Sequence, residues 1–289
     1  LFGAWVRITH SGAGCGEHWP TCHGEIVPFE PATETIIEYT HRLTSGVLGV
    51  LGIVLLVWAR VAFPNRRRVF WAASVTMLFI VIEALIGAGL VLNSLVESDD
   101  SVARAVVIAF HLVNTLMLTG SAALTAWWSG GGSTPSFGGK RSRRWLLGIG
   151  LAVLVLISMT GAITALGDTL FPVDPTPGGG LLDRVRDDLS PANHFLVRLR
   201  IIHPVLAVLG AVFIAVVSAI IRTDEVSPTA RRLALAMLVL IGVEVIAGAV
   251  NIWLGAPGWM QLVHLGLAQA VWVGWLLTSV EATGGEQSS

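Results

Sequence analysis

Charge is scarce in this sequence. Charged residues make up 13% of the 289 residues and hydrophobic residues 54%, with a mean hydropathy of +0.74. A soluble domain carries about 25% charged residues, so this composition excludes a soluble globular fold and predicts an integral membrane protein with several spanning helices in membrane lipid. The net charge of −1 says little, because charge in a membrane protein is informative loop by loop, and no nucleic-acid partner is expected.

Cysteine is almost absent as well. The chain has only Cys15 and Cys22, which can form at most one disulfide, and only if their loop faces an oxidising compartment. Their spacing is not that of a C-x-x-C metal ribbon. A loop closed over so few residues adds little global stability, so local stapling of the loop and a redox role both stay open.

Long apolar runs predict the spanning segments, since each crossing needs roughly 20 apolar residues. Residues 1–7 are interpreted as the last turns of a first spanning helix whose start is missing, with a short interfacial segment as the alternative. No signal-peptide pattern is visible. With this first helix, eight spanning helices are expected, and the seven complete ones lie at about 34–60, 70–95, 101–128, 145–167, 194–221, 232–255 and 258–280.

Basic residues predict the orientation, because they accumulate in cytoplasmic loops. Eleven of the 18 lie in the loops after the second, fourth and sixth helices, which places these loops in the cytoplasm. The cysteine loop and the loop 168–193 are then expected outside the plasma membrane. The eleven residues are Arg60, Arg66, Arg67, Arg68, Lys140, Arg141, Arg143, Arg144, Arg222, Arg231 and Arg232.

Internal repetition is visible between the two parts of the chain. The segment EALIGAGLVL from Glu83 resembles EVIAGAVNIW from Glu244, and HLVNTLML from His111 resembles HLGLAQAV from His264. Repeats of four helices have the same orientation, so they are expected to be related by a pseudo-two-fold axis along the membrane normal. The predicted division is a half at 1–128, a cytoplasmic linker at 129–144, a second half at 145–281 and a polar tail at 282–289.

One histidine lies in the outer part of each even-numbered helix, at His41, His111, His203 and His264. Two histidines on facing helices can hold a haem iron from both sides. The alternative is a set of histidines that bond across helices or reach the interface, but four in repeat-related places favour haem. A bare zinc or copper site is disfavoured, because no carboxylate or thiolate partner is expected at each pair.

Three glutamates accompany these histidines. Glu38 lies one turn before His41, where it could orient the imidazole, accept a proton, balance charge at iron, or only interact with the helix dipole. Its counterpart in the second half is Arg200, so only one half carries an extra acid–base group. For Glu83 and Glu244, a structural hydrogen bond to a neighbouring helix is favoured over a chemical role.

The segment RITHSGAGCGEHWPTCHGEIVP followed by IEYTHR resembles the signature of the haem A synthase family, and the resemblance extends over nearly the whole chain. It implies an enzyme that oxidises the C8 methyl of haem O to a formyl by successive hydroxylations, giving haem A. It also implies two partners, the haem O synthase (a farnesyltransferase) and an electron acceptor. The loop 168–193 lacks the second cysteine pair of some relatives, so a relay between two disulfides is not expected.

The resemblance also implies a role for each site residue. The substrate haem lies in the N-terminal half beside a catalytic carboxylate, haem b is the resident cofactor of the C-terminal half, and the cysteines form a disulfide linked to function. The residues concerned are Glu38, His41 and His111 for the substrate, His203 and His264 for haem b, and Cys15 and Cys22 for the disulfide.

Two other functions fit parts of this pattern. A bis-histidine dihaem cytochrome b could transfer electrons between a quinone and a partner, and it would need no extra carboxylate. A transporter would show broken helices in matching places of the two halves, and none is evident. The cysteine loop and the E-x-x-H-R motif occur together in one half only, which favours the enzyme.

Overall fold

The computed structural model describes residues 1–136, 140–172, 185–186 and 188–284. Within these ranges the chain is helical and forms isolated β-bridges but no strand. The helices whose bounds the structure describes are α1 (Phe2–Ile8), α2 (Thr33–Ala62), α3 (Arg67–Leu92), α4 (Val102–Ser129), α5 (Arg141–Leu170), α6 (Phe195–Leu199), α7 (Ile202–Thr223), α8 (Pro228–Trp253) and α9 (Gly258–Thr283).

Seven segments are long and apolar enough to cross a membrane: α2, α3, α4, α5, α8, α9 and the run Phe195–Thr223. The predicted all-α, multi-span fold is confirmed, and the short helix α1 lies where the last turns of a first spanning helix were predicted. Helix ends differ from the predicted ones by a few residues where local caps decide them. The Ser101 hydroxyl accepts from Arg104 N at 3.1 Å and begins α4, and Ser227 with Pro228 begins α8.

The predicted helix 194–221 is interrupted, which corrects the sequence analysis. α6 ends at Leu199 and α7 begins at Ile202, one residue before His203. Pro204 has no N–H to donate to the carbonyl of Arg200, four residues earlier, so a continuous helix would lack a bond there. The equivalent part of α2 contains no proline and is unbroken.

Helices pack in the same order in the two repeats. α2 packs on α3 and α3 on α4, as α7 packs on α8 and α8 on α9. α5 also packs on α7 and α9, and α4 contacts both α5 and α9 across the molecule. That the first half of the chain ends at residue 128 and the second begins at residue 145 stays a prediction. Parts of the expected linker, outer loop and polar tail, at 137–139, 173–184, 187 and 285–289, lie outside the described residues.

Trp275 of α9 is the largest fully buried side chain. Its indole Nε1 donates to Leu147 O at 3.1 Å, and a Cβ placed on Gly150 would come within 2.5 Å of its ring. Lipid tails are as apolar as a protein core, so close packing and interhelical hydrogen bonds have to hold membrane helices together. Gly150 allows α5 to approach this indole closely.

Ion pairs join α5 to α7 at the end of the bundle away from the histidines. Asp224 lies 2.5 Å from Lys140 Nζ and 2.7 Å from Arg143 Nη1. The Lys140 hydrogen bond, with help from Arg143, lowers the pKa of Asp224 to about 2. A depressed carboxylate pKa stabilises the fold above the ordinary value near 4 and stops doing so as pH falls through about 2, so this tether is constant across neutral pH.

Because the Trp275 indole is buried between α5 and α9, replacing Trp275 with alanine should destabilise the bundle. We expect a loss of about 3–5 kcal/mol in the free energy of unfolding, because a buried indole is removed and the Leu147 carbonyl loses its donor. Unfolding of the purified protein in mixed micelles would measure it. Trp253→Ala is the matched control, since Trp253 is 75% exposed. Equal effects of the two changes would contradict this account of the packing.

Candidate functional site

The four histidines lie near the beginnings of α2, α4, α7 and α9, and each is partly buried. These are alternate spans of the chain, so the histidines are at one end of the bundle, as predicted. The two pairs have different surroundings: among the described residues, both rings of one pair lie beside an acceptor, and only one ring of the other pair does.

His203 and His264 face each other. Their ring centroids are 6.3 Å apart, with 68° between the ring planes. His203 Nδ1 lies 3.2 Å from Ile157 O and 3.3 Å from Thr160 Oγ1, both on α5. His264 Nδ1 lies 3.1 Å from a carboxylate oxygen of Glu244, at ion-pair distance but without hydrogen-bond alignment. The Nδ1 atoms thus face protein acceptors, which leaves both Nε2 atoms available to a ligand.

This donor set fits a haem iron. Metal-bound histidines usually direct the other ring N–H to a carboxylate or carbonyl, as here. With metal–nitrogen bonds of about 2 Å, two imidazoles on opposite sides of one iron have centroids about 6.4 Å apart, close to the 6.3 Å observed. A Cβ on Gly161 would lie 2.9 Å from the His203 ring, and one on Gly248 would lie 3.1 Å from His264. Glycine at these positions leaves the space that the rings occupy.

His41 and His111 are supported unequally. His111 Nδ1 lies 3.0 Å from Glu83 Oε1 of α3. The His41 ring instead contacts Phe2 at a centroid distance of 5.3 Å, and a Cβ on Gly3 would lie 3.4 Å from His41 Nε2. Among the described residues no hydrogen-bond partner of the His41 ring is found. The two histidines are close enough to interact electrostatically.

Glu83 and Glu244 lie beside two of the histidines, which the sequence analysis did not predict. It expected no carboxylate partner at either histidine pair, and this was wrong: one carboxylate lies beside His111 and one beside His264. The predicted hydrogen bond to a neighbouring helix is observed for Glu83, whose Oε1 accepts from Thr115 Oγ1 of α4. The signal was present in the repeat, because a glutamate on one helix and a histidine on the next recur together in both halves.

Glu38 faces the cysteine loop. Its side chain is almost fully buried, and its Oε2 accepts from Cys15 N at 2.8 Å. Arg42 donates to Oε1 through Nε at 3.1 Å, and to the carbonyls of His18 at 2.7 Å and Thr21 at 2.6 Å. One carboxylate and one guanidinium therefore fasten the loop to the first turns of α2.

Of the roles considered for Glu38, orientation of His41 is not observed, because the carboxylate is turned toward Cys15 and Arg42 instead. The i, i+3 spacing put Glu38 and His41 on one helix face, but it did not determine the direction of the carboxylate. The hydrogen bond from a loop N–H 23 residues away decides it.

The disulfide between Cys15 and Cys22 is present, and both residues are fully buried. The loop lies directly on α2: Thr35 Oγ1 donates to Gly14 O at 2.6 Å, and a Cβ on Gly14 would collide with Glu34 O. Only glycine allows this approach. The disulfide, Glu38 and Arg42 thus form one unit against the helix that carries His41.

The fold and the site together define a multi-pass helical membrane protein with paired histidines near one end of its bundle. The sequence profile of the COX15-CtaA family, described as cytochrome oxidase assembly protein, matches residues 1–276. The chain belongs to this family.

The similar proteins fall into two groups by name, Protoheme IX farnesyltransferase and Heme A synthase. A Protoheme IX farnesyltransferase of Thermus thermophilus is 45% identical over 273 residues, which are 94% of this chain and 44% of that protein. A Heme A synthase of Exiguobacterium sibiricum is 46% identical over 91 residues, 32% of this chain and 31% of that protein. A Heme A synthase of another Exiguobacterium species is 32% identical over 170 residues, 58% and 54% respectively. The chain spans less than half the length of the first relative.

Replacing Glu38 with glutamine should loosen the cysteine loop. The change removes the anion that Cys15 N–H and Arg42 share, and we expect faster exchange of the Cys15 amide and faster reduction of the disulfide by a water-soluble reductant. Hydrogen exchange and thiol labelling measure the two effects. Glu34→Gln, at an exposed position one turn earlier in the same helix, is the control. Equal rates in both variants would show that Glu38 does not hold the loop.

Proposed function

We propose that the protein is a haem A synthase, which oxidises the C8 methyl of haem O to a formyl within the membrane. Family membership and the relatives named Heme A synthase support this activity. The observation that carries the proposal is an asymmetry between the halves. Both contain a histidine pair, but only the pair of His41 and His111 has the disulfide loop, Glu38 and Arg42 beside it.

The C-terminal half, 145–281, is assigned to the resident cofactor. His203 and His264 would hold haem b, because their ring separation and their free Nε2 atoms suit one iron. When bound, haem b supplies one-electron transfer. The chain's own contribution is to fix both rings through Ile157 O, Thr160 and Glu244.

The N-terminal half, 1–128, is assigned to the substrate. His41 and His111 would bind the iron of haem O, and the apolar faces of α2 and α3 would accept its tail from the lipid. Glu38 is the carboxylate of this side. Its hydrogen bond to Cys15 N and its pair with Arg42 hold the loop over the first turns of the helix that carries His41.

The oxidation needs a partner that accepts electrons. Converting a methyl to a formyl with one water as the oxygen source releases four electrons and four protons, so an electron acceptor is required. A haem O synthase is the second proposed partner. A relative named Protoheme IX farnesyltransferase matches this chain over 44% of its own length, which is consistent with farnesylation and oxidation of haem in one assembly.

The protein is placed in the plasma membrane with its cysteine loop outside. The basic loops after α2, α4 and α7 support this orientation. The Cys15–Cys22 disulfide agrees with it, since disulfides persist in oxidising compartments and are rare in the cytosol.

Co-expression of the full-length protein with a haem O synthase tests the activity. We expect haem A, or its hydroxylated intermediate, in extracted haems only when the intact protein is present. His41→Ala, His111→Ala and Glu38→Gln should abolish or strongly reduce it, whereas His10→Ala, at an exposed loop position, should not. Haem O that accumulates unchanged beside two bound haem b groups would favour the dihaem cytochrome b instead.

Loss of the resident haem tests the second site separately. His203→Ala or His264→Ala should remove haem b from the purified protein, because one imidazole cannot replace two axial ligands. A pyridine haemochrome assay measures the haem content per chain. Retention of haem b at the level of the His10→Ala control would refute the assignment of this pair.

A further inference from the structure

A short apolar segment lies on the surface of the cysteine loop. Residues 26–29 have the sequence IVPF, and the side chains of Ile26, Val27 and Phe29 are 82%, 68% and 83% exposed. Protein surfaces in contact with water rarely leave large apolar side chains uncovered side by side, and such a patch marks an interaction site. Segment 26–29 is therefore expected to bind an apolar partner.

Hydrogen bonds hold this segment against α2. Cys22 and Glu25 exchange two backbone hydrogen bonds of 2.9 Å, so the segment begins directly after the turn that follows the disulfide. Tyr39 Oη of α2 donates to Ile26 O at 3.0 Å. The segment thus lies within about one helical turn of Tyr39, and α2 can be used to measure its depth in the membrane.

The length of α2 places Tyr39 at a membrane boundary. Tyr39 and Arg60 lie on this one helix, 21 residues apart, and Arg60 is exposed near its other end. A rise of about 1.5 Å per residue separates them by roughly 31 Å, and the hydrocarbon layer is about 30 Å thick. With Arg60 at one boundary of the hydrocarbon, Tyr39 lies at the other. Segment 26–29 is then level with the boundary between acyl chains and headgroups on the histidine side of the bundle.

The helix α1 approaches from deeper in the membrane. Phe2 contacts the His41 ring at a centroid distance of 5.3 Å, and a Cβ on Gly3 would lie 3.4 Å from the same ring. From there α1 runs outward to Ile8 and leads into the cysteine loop. The beginning of α1 is therefore at the level of His41 and not of segment 26–29, and the exposure of the segment comes from the conformation of the loop itself.

The hydrogen bonds of the segment suit a position beside acyl chains. Pro28 has no N–H, Phe29 N donates to Glu25 Oε2 at 3.3 Å, and the Ile26 carbonyl is bonded to Tyr39. Polar backbone groups lose their water partners near the hydrocarbon, so bonds within the protein lower the cost of insertion. Tyr39 is itself of a residue type enriched at this boundary.

The charges around the segment indicate which part of the lipid it contacts. Glu25 and Glu30 flank it and are both exposed. No lysine or arginine occurs between Cys22 and Thr33. These carboxylates give no attraction to anionic headgroups, which bind basic segments. The apolar side chains have to supply the binding, and the acyl chains are the partner that they fit.

We propose that segment 26–29 inserts into the lipid leaflet on the histidine side of the bundle and anchors the disulfide loop to the membrane. The loop is then held from two sides. Glu38 and Arg42 fasten it to α2, and the inserted side chains fasten it to the lipid. This anchor requires only that the chain spans a membrane, so it does not rest on the proposed activity.

The first test measures the depth of the segment with a spin label in vesicles of phosphatidylcholine. Cys15 and Cys22 are paired in the disulfide, so Phe29→Cys gives the full-length protein a free thiol for a nitroxide. We expect this label to collide with oxygen more than with a water-soluble nickel chelate, as should a label at Val239→Cys, 60% exposed on α8. Ala32→Cys, at the exposed start of α2, should show the reverse.

Each other outcome of the labelling overturns the proposal. Access of the nickel chelate to position 29 equal to that at position 32 would show a hydrated loop. A label that is immobile and shielded from both reagents would show that protein covers the segment, either another part of this chain or a partner. Adding anionic phosphatidylglycerol should leave the depth unchanged, and a depth that requires it would show binding to headgroups instead of insertion.

A second test measures what the anchor contributes to the loop. Serine at positions 26, 27 and 29 together should speed hydrogen exchange of the Cys22 amide in the same vesicles about tenfold, because its bond to Glu25 O lies beside the anchor. Val102→Ser is the matched control, since Val102 is 62% exposed at the start of α4. Unchanged exchange in a folded triple variant with its disulfide intact would show that insertion does not hold the loop.

Neither measurement involves turnover. Failure to make haem A in the co-expression experiment would therefore count against the proposed activity and leave the anchor to be judged on depth and exchange alone.

Discussion

A buried imidazole needs an acceptor for its Nδ1–H, because no water in the bilayer interior can replace one. Among the four spanning histidines, three have an acceptor within about 3.3 Å on a neighbouring helix: His203 at Ile157 O, His111 at Glu83 and His264 at Glu244. Each such contact joins two helices at the end of the bundle where the histidines lie, and each involves Nδ1 and not Nε2. The same contacts thus contribute to the packing and, under the proposed function, would hold the iron ligands in place.

Much of this arrangement follows from local patterns. Apolar runs predict the spans, and the repeat predicts one histidine on every second helix. What could not be predicted depends on contacts between distant residues. The direction of the Glu38 carboxylate is set by Cys15 N–H, and that of Glu83 by three donors on the next helix. The break before α7 could have been predicted, since Pro204 removes the bond to Arg200 O. The long apolar run at 194–221 instead favoured the prediction of one unbroken helix.

The two halves diverge most where the chain enters α2 in the first half and α7 in the second. Where α2 has Glu38 under a disulfide loop, the second half has Arg200, which pairs with Asp168 at 2.8 Å and donates to Gly167 O at 2.9 Å. That arginine binds the end of α5 instead of a loop. One entrance is closed by a covalently cross-linked loop with a carboxylate inside, and the other by a short helix fixed to its neighbour. The two halves therefore share their helix arrangement but have different side-chain groups at equivalent positions.

The helices that carry His111 and His264 are joined directly, although they belong to different halves. Thr119 Oγ1 donates to Gln269 Oε1 at 3.0 Å, and Trp272 Nε1 donates to Leu116 O at 2.7 Å. Both bonds connect α4 to α9 within the apolar bundle, where no water competes for them. Under the proposed function these bonds lie between the substrate site and the haem b site, so they would keep the distance that electrons have to cross between the two sites constant.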